Sequence, residues 1–388
     1  MKCIKINLAW HNFGQNLYVK PKSKMLILLV REALKKAGSK LALERATGWG
    51  RHQITRVLRR EQESVRVSNL RCLLIYIGKS YHEIDGVKIG HSRGKIKLKA
   101  VKMSGPLLRL LGAMMSDGSI TAAVGKNSYL IEYINLDEEL RKLRISNFKK
   151  VFGELKICDK LGNGECIGFK FRSKVIGEIF KKLGVPIGKK IKQNSPLPWV
   201  VDSASKKLQM EYVRSIFSDE GHVSSPSSGK QVAVAYSRAG ILPLKSDYRE
   251  ILDLAVQIGI FSGMTLPSGV KQLSVTPGHL MNKIDFCNQI KPKITLNKFK
   301  KLLQEQFKNH MPALLQGETR LLSSMGFYPR AKLSRIYTYS RKEYYGIWQV
   351  QLYRKKDVLR FYRFGGFLDK TKRADFMRRL EIIGWFSQ

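Results

Sequence analysis

Leu110-Leu111-Gly112-Ala113-Met114-Met115-Ser116-Asp117-Gly118-Ser119-Ile120 and Tyr212-Val213-Arg214-Ser215-Ile216-Phe217-Ser218-Asp219-Glu220-Gly221-His222-Val223 carry one pattern twice. Each is an apolar stretch with a small residue (Gly112, Ser215) five positions before an acid (Asp117, Glu220), and a glycine follows each acid. Small side chains on a helix let a second helix approach closely. A glycine just past the acid suits a helix that ends in the left-handed conformation. A carboxylate on the last turn of a helix faces the negative end of the macrodipole, an unfavourable place unless a cation is bound there. Side by side, two such acids could hold Mg²⁺ beside a phosphodiester, with substrate oxygens and water completing the shell. An ion so placed polarises the phosphate, activates water and stabilises the leaving oxygen.

The charge surrounding these acids has the opposite sign. The 388 residues include 71 Lys and Arg against 30 Asp and Glu, a formal net charge of +41. That self-repulsion does nothing for a folded surface and points to a polyanionic partner, nucleic acid first. A membrane surface is the competing polyanion. No run of about 18 apolar residues is present, and Met1-Lys2-Cys3-Ile4-Lys5 leads into no signal-peptide core, so no membrane partner is expected. Cys3, Cys72, Cys158, Cys166 and Cys287 are scattered without a C-x-x-C pair, which argues against structural zinc and for reduced thiols. The expected location is cytoplasmic, associated with the nucleoid.

On the N-terminal side, residues 1–20 alternate weakly and predict a short hairpin. Met25, Leu28, Leu29, Ala33 and Leu34 recur at helical steps up to Gly38. The segment from Leu43 to Leu58 then reads as a helix-turn-helix, with Ala46 in the first helix, Gly48 at the turn, and Ile54 and Leu58 buried in the second. The outer face of that second helix carries Arg51, Gln53, Thr55 and Arg56, donors able to reach phosphates and base edges. An ordinary helical hairpin with a solvated basic face fits the same residues. A helix from Ser68 to Ile77 completes the bundle. The reading is an N-terminal arm and all-α helix-turn-helix domain over 1–85, then a Gly-, Lys- and Arg-rich basic linker over 86–106.

From Leu107 the order is helix, two strands, helix, strand or strands, helix, covering 107–205. In the strand Cys166 to Arg172, Ile167, Phe169 and Phe171 fall on one face and Lys170 and Arg172 on the other. The order returns over 206–310, and two copies of one supersecondary unit predict a pseudo-twofold α+β core. Residues 311–388 form a basic, aromatic-rich α+β C-terminal extension that resembles part of the unit again. Phe361-Tyr362-Arg363-Phe364-Gly365 echoes Phe180-Lys181-Lys182-Leu183-Gly184, and Lys370 echoes Lys189, 181 residues on. Basic and aromatic residues interleaved in this way suit a nucleic-acid surface, or equally a charged face over an aromatic core.

The two acidic segments, 103 residues apart, resemble the paired motifs of single-chain LAGLIDADG (DOD-type) homing endonucleases. The resemblance runs from about Pro106 to Phe307. It includes Gly184-Val185-Pro186-Ile187-Gly188-Lys189-Lys190 followed by Pro196-Leu197-Pro198, a Gly-Lys…Pro stretch common before the second motif in archaeal members. It implies two αββαββα repeats forming a β-saddle in the DNA major groove. It also implies a monomer with internal pseudo-twofold symmetry that hydrolyses both strands of a long double-stranded DNA target, for intron or mobile-element homing. By position, Asp117 and Glu220 would hold Mg²⁺ or Mn²⁺ and act in catalysis with Lys190 and Lys192. Lys170, Arg172 and Lys189 would contact DNA, and Lys291 or Lys293 would be the second repeat's lysine. The second motif departs from the pattern, with Glu for the usual Asp and Asp219 where a small residue normally packs. The alternative is an inactive relative, either a DNA-binding regulator with a helix-turn-helix or a maturase whose partner is intron RNA.

Overall fold

Both acidic stretches form helices in the computed structural model of the chain. It describes residues 5–6, 10–13, 17–22, 24–84, 87–91, 94–97, 101–123, 128–162, 164–224, 231–242, 244, 246–257, 259–265, 271–283, 311–339 and 343–385. The chain divides into two units, one of Met1–Met114 with Gly118–Leu183 and one of Met115–Asp117 with Gly184–Gln388.

The first unit begins with β1 (Lys5–Ile6), β2 (Tyr18–Lys20), α1 (Met25–Ala37), α2 (Lys40–Thr47), α3 (Arg51–Leu58), β3 (Val65–Arg66), α4 (Val67–Ile77), β4 (Lys88–His91), β5 (Gly94–Lys97) and β6 (Val101–Lys102). α1 packs against α2, α3 and α4, and its apolar stripe (Leu26, Leu29, Val30, Ala33) is buried, as are Leu43, Ile54 and Leu70 on those helices. Ser39 caps α2 by accepting from the Ala42 amide. Gly48 ends α2 at φ 66°, a left-handed turn that only glycine adopts freely, and α3 follows within three residues. The two short helices are where the sequence places them.

This N-terminal part is not all-α. β2 lies between β3 and β4 in a four-stranded sheet ordered β3-β2-β4-β5, so strands occupy the stretch read as a linker. Among the described residues of 1–20 the strands do not pair as a hairpin: β1 pairs with β6, and β2 pairs with β3 and β4. The alternation around Val19 is a strand signal, but it carries no information about the partner. Val19 lies in register with Val65 and Ile89, all three buried, and that apolar row fixes the pairing.

The rest of this unit is α5 (Gly105–Met115), β7 (Gly118–Ala123), β8 (Ser128–Ile134), α6 (Glu138–Phe152), β9 (Cys158–Gly162), β10 (Glu165–Arg172) and α7 (Lys174–Lys182). The strands form an antiparallel sheet ordered β7-β8-β10-β9. Asp137 and Ser173 cap α6 and α7 through the Leu140 and Ile176 amides. Phe148, Phe152, Phe169, Phe171 and Phe180 fill the inner face, with Phe148 ring contacts of 5.0 to 6.1 Å. Each such ring is worth about 1.5–3 kcal/mol of apolar burial.

The second unit runs α8 (Trp199–Asp202), α9 (Lys206–Glu220), β11 (Gly221–Ser224), β12 (Ala233–Ile241), α10 (Ser246–Gln257), β13 (Ser262–Thr265), β14 (Lys271–Val275), α11 (Pro277–Lys283), α12 (Ala313–Ser324), β15 (Arg330–Thr338), β16 (Tyr344–Leu352), α13 (Lys355–Arg363) and α14 (Lys370–Ile382). Its sheet is ordered β11-β12-β16-β15-β14-β13. β12 therefore pairs over eight residues with β16, from the C-terminal stretch, and not with β14. Within this unit β11-β12-β16-β15 repeats the order β7-β8-β10-β9, and α13 follows β16 as α7 follows β10. The echo between Phe180 and Phe361 has this cause: both lie in the helix that follows the third strand of such a sheet.

Candidate active site

Asp117 and Glu220 both belong to the second unit, each next to the end of an apolar helix. The glycines after them do not take the expected left-handed turn. Gly221 is extended, at φ −87° and ψ 162°, and leads straight into β11. Glycine is required there because a Cβ would stand 2.2 Å from the Phe217 carbonyl oxygen. At Gly118 a Cβ would meet the Met114 side chain at 2.3 Å and the Ala113 carbonyl oxygen at 2.8 Å. The helix-to-strand step is too tight for any side chain, and this close approach explains the repeated glycine.

The Glu220 carboxylate accepts from Arg238 Nη1 at 2.5 Å. Arg238 lies on the inward face of β12, two residues after Tyr236, with its guanidinium 5.5 Å from that ring. Its Nε and Nη2 donate to the two oxygens of Glu318 at 3.1 and 2.7 Å, and Nη1 also reaches Met115 O and Ser116 Oγ at 3.2 and 3.3 Å. Glu318, on α12, is fully buried and accepts a further bond from Tyr212 Oη at 2.9 Å. Burial pushes the Glu220 carboxyl up to about 7, with Arg238 and Lys190 pulling the other way and Asp117 adding to the rise. Asp117 is thus within electrostatic reach of Glu220.

Lys190 stands in a 3₁₀ turn, Lys190–Lys192, and its ammonium donates to the Ser116 carbonyl, next to Asp117. Burial brings this lysine down to about 8, opposed by Glu220 and Asp117 and reinforced by Arg238. Lys372, near the start of α14, does the same for the other motif, donating to Ser218 O at 2.5 Å and Asp219 O at 3.5 Å. A cation at helix-terminal carbonyls is the favourable end of the macrodipole. Lys192 lines one cavity with Lys190 and Glu220 and donates to both oxygens of Glu343 at 3.0 and 3.1 Å, and Lys189 is exposed. Lys291 and Lys293 lie outside the described residues. Glu220 borders this cavity of about 460 Å³, which is lined as well by Ser116, Lys190, Arg238, Ile241 and Pro312.

Two carboxylates offer hard oxygen donors, the set that Mg²⁺ and Mn²⁺ prefer. Among the described residues no group of three or more His, Cys, Asp or Glu side chains is arranged to hold a metal. An ion at Asp117 and Glu220 would therefore complete its shell with water and substrate oxygens.

Exposed charged side chains lie at several sheet positions, beside half-buried glutamines and the buried Ala235. On β10, Phe169 and Phe171 are buried while Lys170 and Arg172 are exposed; Lys170 lies in register with Glu132, which pairs with Lys160 at 3.0 Å. In the second unit His222, Ala235, Gln351 and Arg330 form one row across four strands, and Ser237, Gln349 and Lys332 form the next. On α3, Arg51, Gln53 and Arg56 are exposed and Thr55 half-exposed. Arg51 pairs with Glu44 at 2.7 Å, Gln53 accepts from Asn69 at 3.3 Å, and Thr55 accepts from Lys40 at 3.2 Å.

Arg238, Glu318, Lys372 and the Gln349–Gln351 pair went unnoticed in the sequence. Arg238 and Glu318 carry a legible signal, since each is a charge at an inward position, of a strand after Val234 and Tyr236 and of a helix between Leu315 and Leu321. Among the described residues no helix is long and apolar enough to cross a membrane.

No protein-family model matches the chain, and no curated protein matches it. Among solved structures the chain is similar to I-DmoI in complex with DNA and Mn, at 12% identity over 67% of this chain and 96% of that one, with a TM-score of 0.32. It is also similar to the homing endonuclease I-WcaI bound to its DNA recognition sequence, at 13% identity over 43% of this chain and 74% of that one, with a TM-score of 0.24. Similarity at this level leaves the function to be argued from the site's own residues.

Proposed function

We propose that this chain is a site-specific, metal-dependent DNA endonuclease that hydrolyses phosphodiester bonds in a long double-stranded target. The observation that carries the reading is the coincidence in one unit of Asp117, Glu220 and Lys190, in a protein of net charge +41. Carboxylates kept in such basic territory make sense where the ligand is a cation and the substrate a polyanion. A Mg²⁺ or Mn²⁺ ion at Asp117 and Glu220 would supply Lewis-acid polarisation of the phosphate and a water of lowered pKa.

The chain's own groups do the rest. Lys190, anchored on the Ser116 carbonyl, places an ammonium beside the reacting phosphate, where it offsets charge as the water oxygen adds to phosphorus. One phosphorus–oxygen ester bond breaks, and the leaving oxygen takes a proton. Lys170 and Arg172 on β10 would contact phosphates, as would Arg330 and Lys332 on β15, and Gln349 and Gln351 would read base edges, glutamine amides being suited to adenine in the major groove. Arg51, Gln53, Thr55 and Arg56 on α3 would add a second, helix-borne contact.

The test is cleavage selection from a library of long random duplexes with Mg²⁺, followed by Asp117→Asn. The variant is expected to bind the selected DNA with little change and to lose cleavage by at least a hundredfold. Cleavage surviving in Asp117→Asn would remove the assigned site. One observation favours a second reading, a catalytically silent DNA-binding regulator or intron-RNA maturase: Glu220 is already engaged by Arg238. Tight binding with no cleavage of any library member would select it.

A further inference from the structure

We propose that Tyr328, Tyr353 and Arg354 form a stacking platform for the bases of single-stranded DNA, at one end of the outer face of the β15–β16 pair. That the strand is DNA rests on the endonuclease reading; that it is unpaired goes beyond it.

The C-terminal aromatic residues divide into two sets. Trp348, Phe361, Phe367 and Phe376 are buried and form a core, whereas Tyr328 and Tyr353 are 57% and 37% exposed. Along β16, Trp348, Val350 and Leu352 are buried, Gln349 and Gln351 are half-buried, and Tyr353 is exposed at the next alternate position. Tyr328, Arg330 and Lys332 are exposed at every second position in the same way. Arg330 lies in register with Gln351, and each tyrosine stands two residues beyond that pair. By the strand period of two, both rings continue the outer face.

Arg354 follows Tyr353, and its guanidinium lies 4.3 Å from the centroid of the Tyr328 ring, which ties the two strand ends together. The corner beneath is held as well. Phe327 is buried, and Arg360 donates to the Met325 and Gly326 carbonyls at 3.0 and 2.5 Å. A ring fixed in this way loses little freedom when a ligand covers it. The other end of the hairpin is different: Tyr339 packs on Tyr337 and Tyr345 at 5.3 and 5.9 Å, and Tyr345 donates to Glu343, so the rings there meet each other beside an acid.

Charge and ring together select the ligand. Tyr353–Phe364 holds five Lys or Arg against one acid, Asp357, which is buried, while Arg354, Lys355, Lys356 and Arg363 are exposed. Such a surface attracts a polyanion. In a duplex each base face is covered by its neighbours, so a flat side chain finds a base to stack on only where the strand is unpaired. Cations along the backbone and rings under the bases are what a single strand requires.

The experiment compares binding of the full-length protein to a labelled oligothymidylate of about 12 nucleotides and to a duplex of that length, by fluorescence anisotropy at about 0.3 M salt, where non-specific attraction is weakened. Tyr328→Ala with Tyr353→Ala is expected to weaken single-strand binding by at least about tenfold and duplex binding by less than about twofold. Tyr353→Ala alone, which removes no packed ring, is expected to lose about fivefold and carries the test if the double variant melts early. Tyr328→Phe with Tyr353→Phe keeps the rings and is expected to stay within about twofold of wild type. No single-strand binding by the wild type, or an equal loss for single strand and duplex, would overturn the inference. So would a loss in the Phe pair as large as in the Ala pair, which would place the contact at the hydroxyls. Tighter binding of oligouridylate than of oligothymidylate would assign the surface to RNA and overturn it too. None of these outcomes touches wild-type cleavage of the selected duplex, and absence of that cleavage alone would count against the endonuclease reading.

Discussion

Arg238 and Glu318 are the most exacting pair in the second unit. Neither can be hydrated where it lies, and each is the other's main compensation. A buried ion pair is not by itself a source of stability, yet breaking one leaves an uncompensated charge and costs about 3–5 kcal/mol. Glu318→Ala should therefore destabilise by about that much in urea unfolding. Glu318→Gln should cost less, because its amide oxygen still accepts from Tyr212 or the guanidinium. A Glu318→Ala chain unfolding at the wild-type urea midpoint would mean that the pair does not form in solution. At this scale the sequence was legible in its periodicities and silent about pairings. Asp117 and Glu220 stand out because helix, acid and glycine recur in order. Lys372 could not be found so, since its partners Ser218 and Asp219 lie more than 150 residues earlier and nothing local marks the contact.

Elements were legible where one periodicity ran uninterrupted and a cap closed it. Met25–Ala37 ends at Gly38, Glu138–Phe152 opens on Asp137, and the alternation of Phe169 and Phe171 with Lys170 and Arg172 is a half-buried strand. The short strands β1 to β6 were not, because two to four residues carry too little pattern and their register is set by partners far away in sequence. The helix α3 yields a test at this scale. Ile54 and Val57 bury one face, and Arg56 projects from the other with only a 3.9 Å approach to Glu61. If that face meets DNA through phosphates, Arg56→Ala should weaken binding to all sequences alike and lower the slope of log K against log salt by about 1. Gln53→Ala should instead cost affinity for the selected target more than for random DNA, by about 1–3 kcal/mol. Equal salt slopes for wild type and Arg56→Ala, measured by fluorescence anisotropy, would remove α3 from the interface.

At the scale of the whole chain, residues 311–388 decide whether the second unit exists. Read from sequence they look like an appendage, because they follow what resembles a complete second repeat and are basic and aromatic throughout. In the sheet they are central: β16 and β15 lie between β12 and β14, which do not touch. Local pattern could not show this, since β12 and β16 are about a hundred residues apart in sequence and the intervening α10, β13 and β14 imitate the expected continuation. Removing residues 311–388 would split the six-stranded sheet into two separate pairs, β11 with β12 and β13 with β14. Isolated two-stranded pairs are marginal in water at best. It would also strip Glu318 from Arg238 and Lys372 from the end of α9. The chain cut after residue 310 should therefore lose the unfolding transition of the second unit in thermal melts, and exchange the amides of α9 and β12 at the rate of unfolded chain. The first unit, whose described sheets contain no strand from those residues, should keep its protection. A truncated chain that retained slow exchange in β12 would show that the strand has another partner in solution, and that the C-terminal residues are an appendage after all.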